Sequence, residues 1–144
     1  MDSIEKDILR LRKGFCSVHA QAALAAKKIG YKFNLMWFLY ALNDKELKSQ
    51  KQICLEWGMS KTTLNTVVKE CEKLGYINFQ SIDGEKREKY IILTETGRKY
   101  MQKATEKMAL IEKNTLLKLK DYKSFINQIE EFYQLFKSEI EELL

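Results

Sequence analysis

Along the first thirty residues, Ile4, Ile8, Leu11, Phe15, Val18, Ala22, Ala25 and Ile29 follow each other in alternating steps of four and three. That spacing holds one apolar stripe on one side of a helix and buries it against another helix. A helix is therefore predicted from Asp2 or Ser3, with Gly14 as a mild weak point. The same stepping returns at the other end, through Tyr122, Ile126, Ile129, Tyr133, Phe136, Ile140 and Leu143, widened by Phe125, Phe132 and Leu135. An apolar face that wide needs more cover than a small domain supplies. The two end helices either pack on each other within one chain or also meet those of a second chain. The second reading is taken, which makes 1–30 and 108–144 dimerisation helices of a homodimer.

Shorter elements lie between. "NLMWFLYALND" reads as a buried helix capped by Asn34. In "KSQKQICLEWG", Ser49 followed by Gln52 forms a capping box, and Gly58 ends the helix. "MSKTTLNTVVKECEKLG" restarts at once, with Ser60 as N-cap, Gly75 as stop, and Leu64, Val67, Val68, Cys71 and Leu74 facing inward. Two capped helices across a Gly-Met-Ser turn spell a helix-turn-helix. The period then changes. "YINFQSIDGEKREKYIILTETG" holds two β-prone runs around an Asp83-Gly84 turn, and Ile77, Phe79, Tyr90 and Ile92 are expected to tuck one face under the helices. The fold class that follows is mainly α with a small β-wing, a winged helix-turn-helix at 34–103 flanked by terminal dimerisation helices. The 144 residues suffice for one domain, and no proline interrupts any helix.

Charge adds a direction. The net charge is +5 and the pI about 9.0. Residues 1–43 hold seven basic and three acidic side chains, 44–103 twelve and nine, and 104–144 six and eight. An acidic C-terminus is repelled by a polyanion and should point away from one. The charged start MDSIEKDILRLRK is not a signal peptide, and no run reaches the roughly 18 apolar residues of a membrane span. A cytoplasmic protein is expected. Cys16, Cys54 and Cys71, with one histidine, give neither a disulfide framework nor a zinc motif. With no phosphate loop and no nucleophile–base pair, neither an enzyme nor a cofactor is expected.

The outward face of the second helix of the pair carries Lys61, Thr62, Asn65, Thr66 and Lys69, with Thr63 at its N-terminal edge and no acid before Glu70. Asn pairs with adenine, and Thr donates, accepts or packs on a thymine methyl. An ordinary solvated face mixes Glu with Lys at spacings of four, so this one is read as contacting double-stranded DNA. The recognition helix is 61–74, set in the major groove. Ser60, Ser49 and Lys51 at the helix starts complete the candidate contacts. The wing, 77–94, projects Lys86, Arg87 and Lys89 toward the backbone or minor groove, where the negative potential favours cations. Asp83, Glu85 and Glu88 dilute that charge or orient Arg87.

"NLMWFLYAL", "SQKQICLEWGMSKTTLNTVVKECEKLGYI" and "EKREKYIILTETGRKYM" together resemble the MarR family of bacterial transcriptional regulators, over roughly residues 29 to 103. The matching parts are the Ser60-to-Thr63 start, the Gly75-Tyr76-Ile77 exit and "LTETG". The resemblance implies a homodimer on a pseudo-palindromic operator, often a repressor, often released by a small ligand or by oxidation. It also places Arg87 as the wing arginine. Glu85-Lys86-Arg87 stands where the family usually has Asp-x-Arg. Thr66 replaces a common Arg, and "YKFN" replaces Thr-Pro-Pro.

Two sensor candidates remain open. Cys16, with Arg12 and His19 nearby, is a candidate redox sensor or a small packing residue at the dimer seam. Tyr31, Phe33, Trp37, Phe38 and Tyr40 either line a site for a small apolar or aromatic effector or are simply core. The competing functional class is a winged helix used for protein–protein assembly without DNA.

Overall fold

The computed structural model describes residues 1–82, 84 and 88–144. The elements run α1 (Ser3–Ile29), α2 (Phe33–Ala41), β1 (Lys48–Ser49), α3 (Gln50–Trp57), α4 (Lys61–Lys73), β2 (Ile77–Ser81), β3 (Lys89–Leu93), α5 (Glu95–Lys118) and α6 (Tyr122–Leu143). The chain divides into two compact units, Met1–Met108 and Ala109–Leu144.

In the first unit the helix starts follow their caps. Asp2 and Glu5 exchange side-chain-to-backbone bonds at the start of α1, and Ser49 and Gln52 do the same at α3. Each capping box satisfies two backbone N–H groups that a helix start leaves unpaired. Ser60 caps α4 by accepting from the Thr63 N–H. Gly58 ends α3 at φ 65, a left-handed conformation that lets the chain turn into α4 within three residues. Helix α2 departs from expectation. Its N-cap is Lys32 with no side-chain cap bond, and Asn34 lies inside the first turn.

The core of this unit joins Leu35, Phe38 and Leu39 of α2, Ile53 of α3, and Leu64, Val67, Val68 and Cys71 of α4. Ile77, Ile91 and Met101 complete it from β2, β3 and α5. Each such large apolar side chain, fully buried, contributes about 1.5–3 kcal/mol. A second cluster packs Ala26, Met36, Ala104 and Met108. Leu74, expected inward, is 48% exposed. It is the C-cap of α4, where the chain has already begun to leave the helix.

The sheet is three-stranded and antiparallel in the order β1-β3-β2, so a two-residue strand ahead of α3 joins the hairpin. Its register corrects the expected inward face. Ile77 pairs with Leu93 and Phe79 with Ile91, while Asn78 pairs with Ile92 and Gln80 with Tyr90. Opposed residues share a face, so Ile77, Phe79, Ile91 and Leu93 lie together, and Tyr90 and Ile92 lie on the other side. Ile77 and Ile91 are buried, whereas Phe79, nearer the tip, is 36% exposed.

In the second unit, α6 starts at Asp121, whose carboxylate accepts from the Ser124 N–H. No residue of α6 is buried, and Ile126, Ile129, Phe136 and Ile140 are all exposed.

Candidate nucleic-acid interface

Four buried residues on one side of α4 fix which side faces out. With Leu64, Val67, Val68 and Cys71 buried, Lys61, Thr62, Asn65, Thr66 and Lys69 are exposed and Thr63 is half-buried. The first turn of α4 holds no acid, so Lys61 adds to the partial positive charge of the helix N-terminus. Glu70, which ends the acid-free stretch, meets the Lys32 ammonium at 2.7 Å.

The hydroxyls are not equally available. Ser60 donates to the Thr63 Oγ1 at 2.9 Å while its own Oγ accepts from the Thr63 N–H. Thr66 donates back to the Thr62 carbonyl at 3.2 Å. Ser49 is buried, its hydroxyl occupied by the cap of α3 and its backbone paired with Tyr90. Ser49 therefore holds the start of α3 against β3, and Lys51, two residues on, is exposed.

Helix α3, α4 and the hairpin together frame a cleft of about 890 Å³. Its walls include Gln50, Lys51, Lys61, Asn65, Phe79 and Lys89. Four of these were singled out from the sequence as candidate DNA contacts, and the fold brings them to one concave surface. Gln50 was missed. Its amide Nε2 donates to the Oδ1 of Asn65, joining α3 to α4. The sequence signal was a polar residue at the first position of α3, beside the second turn of the following helix. Lys86 and Arg87, with Asp83 and Glu85, lie outside the described residues.

Lys48 was also missed. This β1 lysine is 6% exposed, yet it meets Asp44 at 3.2 Å and Glu56 of α3 at hydrogen-bonding range. The hydrogen bond to Glu56 holds the ammonium above its ordinary pKa, and the bond from Lys48 holds the Asp44 carboxyl below its own. The clamp ties the loop after α2 and the start of β1 to α3. Two carboxylates bracketing a lysine at spacings of four and eight were the available signal.

The cysteines separate clearly. Cys16 is exposed on α1, Cys54 half-buried and Cys71 buried. Burial, with Glu70 nearby, pushes the Cys71 thiol up to about 12. The aromatic side chains are largely used on one another. Trp37 meets Phe33, Tyr40 and Trp57 at 5.6–5.9 Å, Tyr76 stacks on Tyr100 at 4.5 Å, and Phe38 is buried in the core. Among the described residues there is no group of three His, Cys, Asp or Glu side chains able to hold a metal. No helix among them is long and apolar enough to cross a membrane.

A helix-turn-helix followed by a β-hairpin, with a further short strand joining the sheet ahead of the pair, defines a winged helix-turn-helix. Residues 30–88, which hold α2 to β2, match the sequence model of the MarR family, so this segment is similar to that family in sequence. No curated protein matches the chain in sequence. The fold is similar to that of the transcriptional regulator BldR from Sulfolobus solfataricus, with a TM-score of 0.76, 14% identity, and coverage of 93% of this chain and 99% of that one. A MarR family regulator from Neisseria meningitidis gives a TM-score of 0.75 at 22% identity, over 99% of both chains. MepR of Staphylococcus aureus in its DNA-binding conformation gives 0.70 at 15% identity, over 90% of this chain and 96% of that one.

Proposed function

We propose that the protein is a homodimeric, sequence-specific regulator of transcription that binds double-stranded DNA and acts as a repressor. The recognition helix 61–74 enters the major groove, and the wing 77–94 meets the backbone or the minor groove. The observation that carries this reading is the outward face of α4. Lys61, Thr62, Asn65, Thr66 and Lys69 are all exposed, without an acid in the first turn, beside a cleft that also holds Lys51 and Lys89. Asn65 and the threonines meet base edges, while the lysines meet phosphates. Ser60 and Thr63, bonded to each other, set the first turn in place, and Ser49 positions α3. Lys86 and Arg87 extend the contact at the wing.

Two copies associate through the apolar stripes of α1 and α6 and bind a pseudo-palindromic operator in the cytoplasm. Release follows binding of a small apolar or aromatic molecule, or oxidation at the exposed Cys16. The similarity to a regulator solved in a DNA-binding conformation supports the DNA-contacting arrangement of the fold.

The test is selection of bound duplexes from a random pool, followed by titration at two salt concentrations. Wild type should select a half-site repeated about one helical turn apart. Asn65→Ala should lose discrimination at one or two base pairs, by about 1–3 kcal/mol each. Lys61→Ala and Lys69→Ala should weaken all duplexes alike and flatten the salt slope. A wild-type protein that enriches no sequence, and whose duplex affinity does not respond to salt, would refute the reading.

A further inference from the structure

The amide of Asn65 has a hydrogen-bond partner within the chain. Its Oδ1 accepts from the Nε2 of Gln50, fifteen residues earlier and on the other helix of the pair. Gln50 is half-buried and is the first residue of α3, a position anchored by the Ser49–Gln52 capping box and by the pairing of Ser49 with Tyr90. Asn65 is exposed, and both side chains line the same cleft. The partner that orients Asn65 is thus itself held by the sheet and by its own helix.

An unconstrained asparagine offers one acceptor and one donor edge side by side, which matches adenine N7 and N6. With Oδ1 turned toward Gln50, which takes one of its two lone pairs, the group that leads into the groove is the Nδ2 amine, which carries two donors and no acceptor. We infer that Gln50 is a specificity-determining residue. By holding the Asn65 carbonyl, it makes Asn65 a donor, and the base opposite is one whose major-groove edge offers acceptors without a neighbouring donor, guanine (N7, O6) or thymine (O4), in preference to adenine, whose N7 acceptor sits beside the N6 donor that only a carbonyl can meet. The inference rests on the proposed reading of α4 as the DNA-contacting helix. It adds a residue outside that helix which sets what the helix reads.

The experiment compares the half-sites selected from one random duplex pool by wild type, Asn65→Ala, Gln50→Met, Gln50→Glu and the Asn65→Ala/Gln50→Met double variant, each checked for an unchanged far-UV spectrum and melting temperature. Asn65→Ala first marks the base pair that depends on Asn65. At that pair, wild type should prefer guanine or thymine. Gln50→Met, close in size but without an amide, should move the preference toward adenine by about tenfold in relative affinity. Gln50→Glu offers only acceptors, so it should turn the Asn65 amine toward itself, lead with the Asn65 Oδ1 and shift preference away from guanine and thymine toward a base with a major-groove donor, adenine (N6) or cytosine (N4). Its added charge lowers affinity for all duplexes, which is why the ratio between duplexes is read. In the Asn65→Ala background, Gln50→Met should do nothing further at that pair.

Wild type and both Gln50 variants selecting the same base there would overturn the inference while leaving the proposed function standing. So would an Asn65→Ala variant that keeps the wild-type half-site, or an adenine preference in wild type. Wild type selecting no half-site would overturn the proposed function, and the inference with it.

Discussion

Gly97 approaches the backbone of Tyr76 so closely that a Cβ built on it would stand 2.0 Å from the Tyr76 carbonyl oxygen. Around this contact the exit of α4, the exit of the wing and the start of α5 are bonded together. Thr94 donates through its N–H to Tyr76 O at 3.0 Å and through its hydroxyl to Gly75 O at 2.6 Å, and the same hydroxyl accepts from the Gly97 N–H at 3.0 Å. The "LTETG" segment thus ties both candidate DNA-contacting elements to one point.

Gly97→Ala should accordingly destabilise the fold by about 3 kcal/mol, at the upper end of overpacking costs, because the obstructing atoms are backbone. Thr94→Ala removes a helix-start bond and should cost about 1 kcal/mol. Urea unfolding monitored by circular dichroism checks both. A Gly97→Ala variant as stable as wild type would mean that the close approach is not maintained in solution.

What the sequence disclosed divides along chain distance. Helix limits at Ser49, Gly58, Ser60 and Gly75 were legible because a cap and the backbone group it satisfies, an N–H at a helix start or a carbonyl at a helix end, lie within three or four residues of each other. The sidedness of the wing was not. Alternation alone allows either Tyr90 and Ile92 or Ile91 and Leu93 to face inward, and β1, some forty residues upstream in the chain, lies against the β3 edge, pairing Lys48 with Ile91 and Ser49 with Tyr90. The Gln50–Asn65 bond escaped for the same reason, since it joins residues fifteen apart on different helices, whereas the Lys48 clamp is short in sequence but crosses from β1 to α3, and that crossing was not legible. The outward face of α4 was readable because it is the complement of a local 3.6-residue period. The orientation of one amide on that face was not.

The Lys48 clamp predicts an asymmetry. Removing the lysine leaves two carboxylates that are about half exposed and can take up water. Lys48→Met should therefore cost only about 1–2 kcal/mol. The double change Asp44→Ala, Glu56→Ala instead leaves a largely covered lysine side chain without either partner, and should cost more than Lys48→Met. The pH dependence follows from the two directions. Asp44 is held below its ordinary 3.8, so its contribution is present above that pH and is lost as pH falls through the depressed value. Lys48 is held above 10.5, so its contribution is present below that pH and lost as pH rises through the raised value. Lys48→Met should remove both ends of this profile. Identical acid and alkaline unfolding limbs in wild type and variant would contradict the clamp.

The cysteines should respond differently to a thiol reagent. The thiolate is the reactive form, and access limits it further. Cys16 is exposed and Cys71 is fully buried with its thiol pushed up to about 12. Native protein at neutral pH should label at Cys16 first, and Cys71 should label only on unfolding, as read by mass spectrometry of proteolytic fragments. Because the folded pKa of Cys71 lies above its ordinary 9.0, its stabilising contribution is complete below pH 9.0 and is lost as pH rises to about 12. Cys71→Ala should be less stable than wild type at neutral pH, having lost a core side chain, yet should lose less of its stability across that alkaline window. Rapid labelling of Cys71 in the native state would place it outside the core.

The α6 stripe carries the prediction on assembly. Ile129 is 38% exposed and Phe136 57% in the single chain, on a helix with no buried residue, while Phe38 and Leu39 of α2 are fully buried. If water covered this stripe in solution, Ile129→Asp or Phe136→Asp would improve solubility and change little else. If a second copy covers it, each substitution places a carboxylate in an apolar seam, at a cost of several kcal/mol per protomer. The second outcome is expected. Wild type should run as a dimer at micromolar concentration by light scattering, with an interface above roughly 2,000 Å². Each Asp variant should give monomer or insoluble protein. Ile129→Ala should weaken the dimer without abolishing it, since it removes apolar contact but buries no charge. A well-folded wild-type monomer would end the proposal of a dimer. Asp variants that remained dimeric with unchanged affinity would move the interface off α6, leaving the α1 stripe of Ile4, Ile8 and Val18 as the surface to vary next.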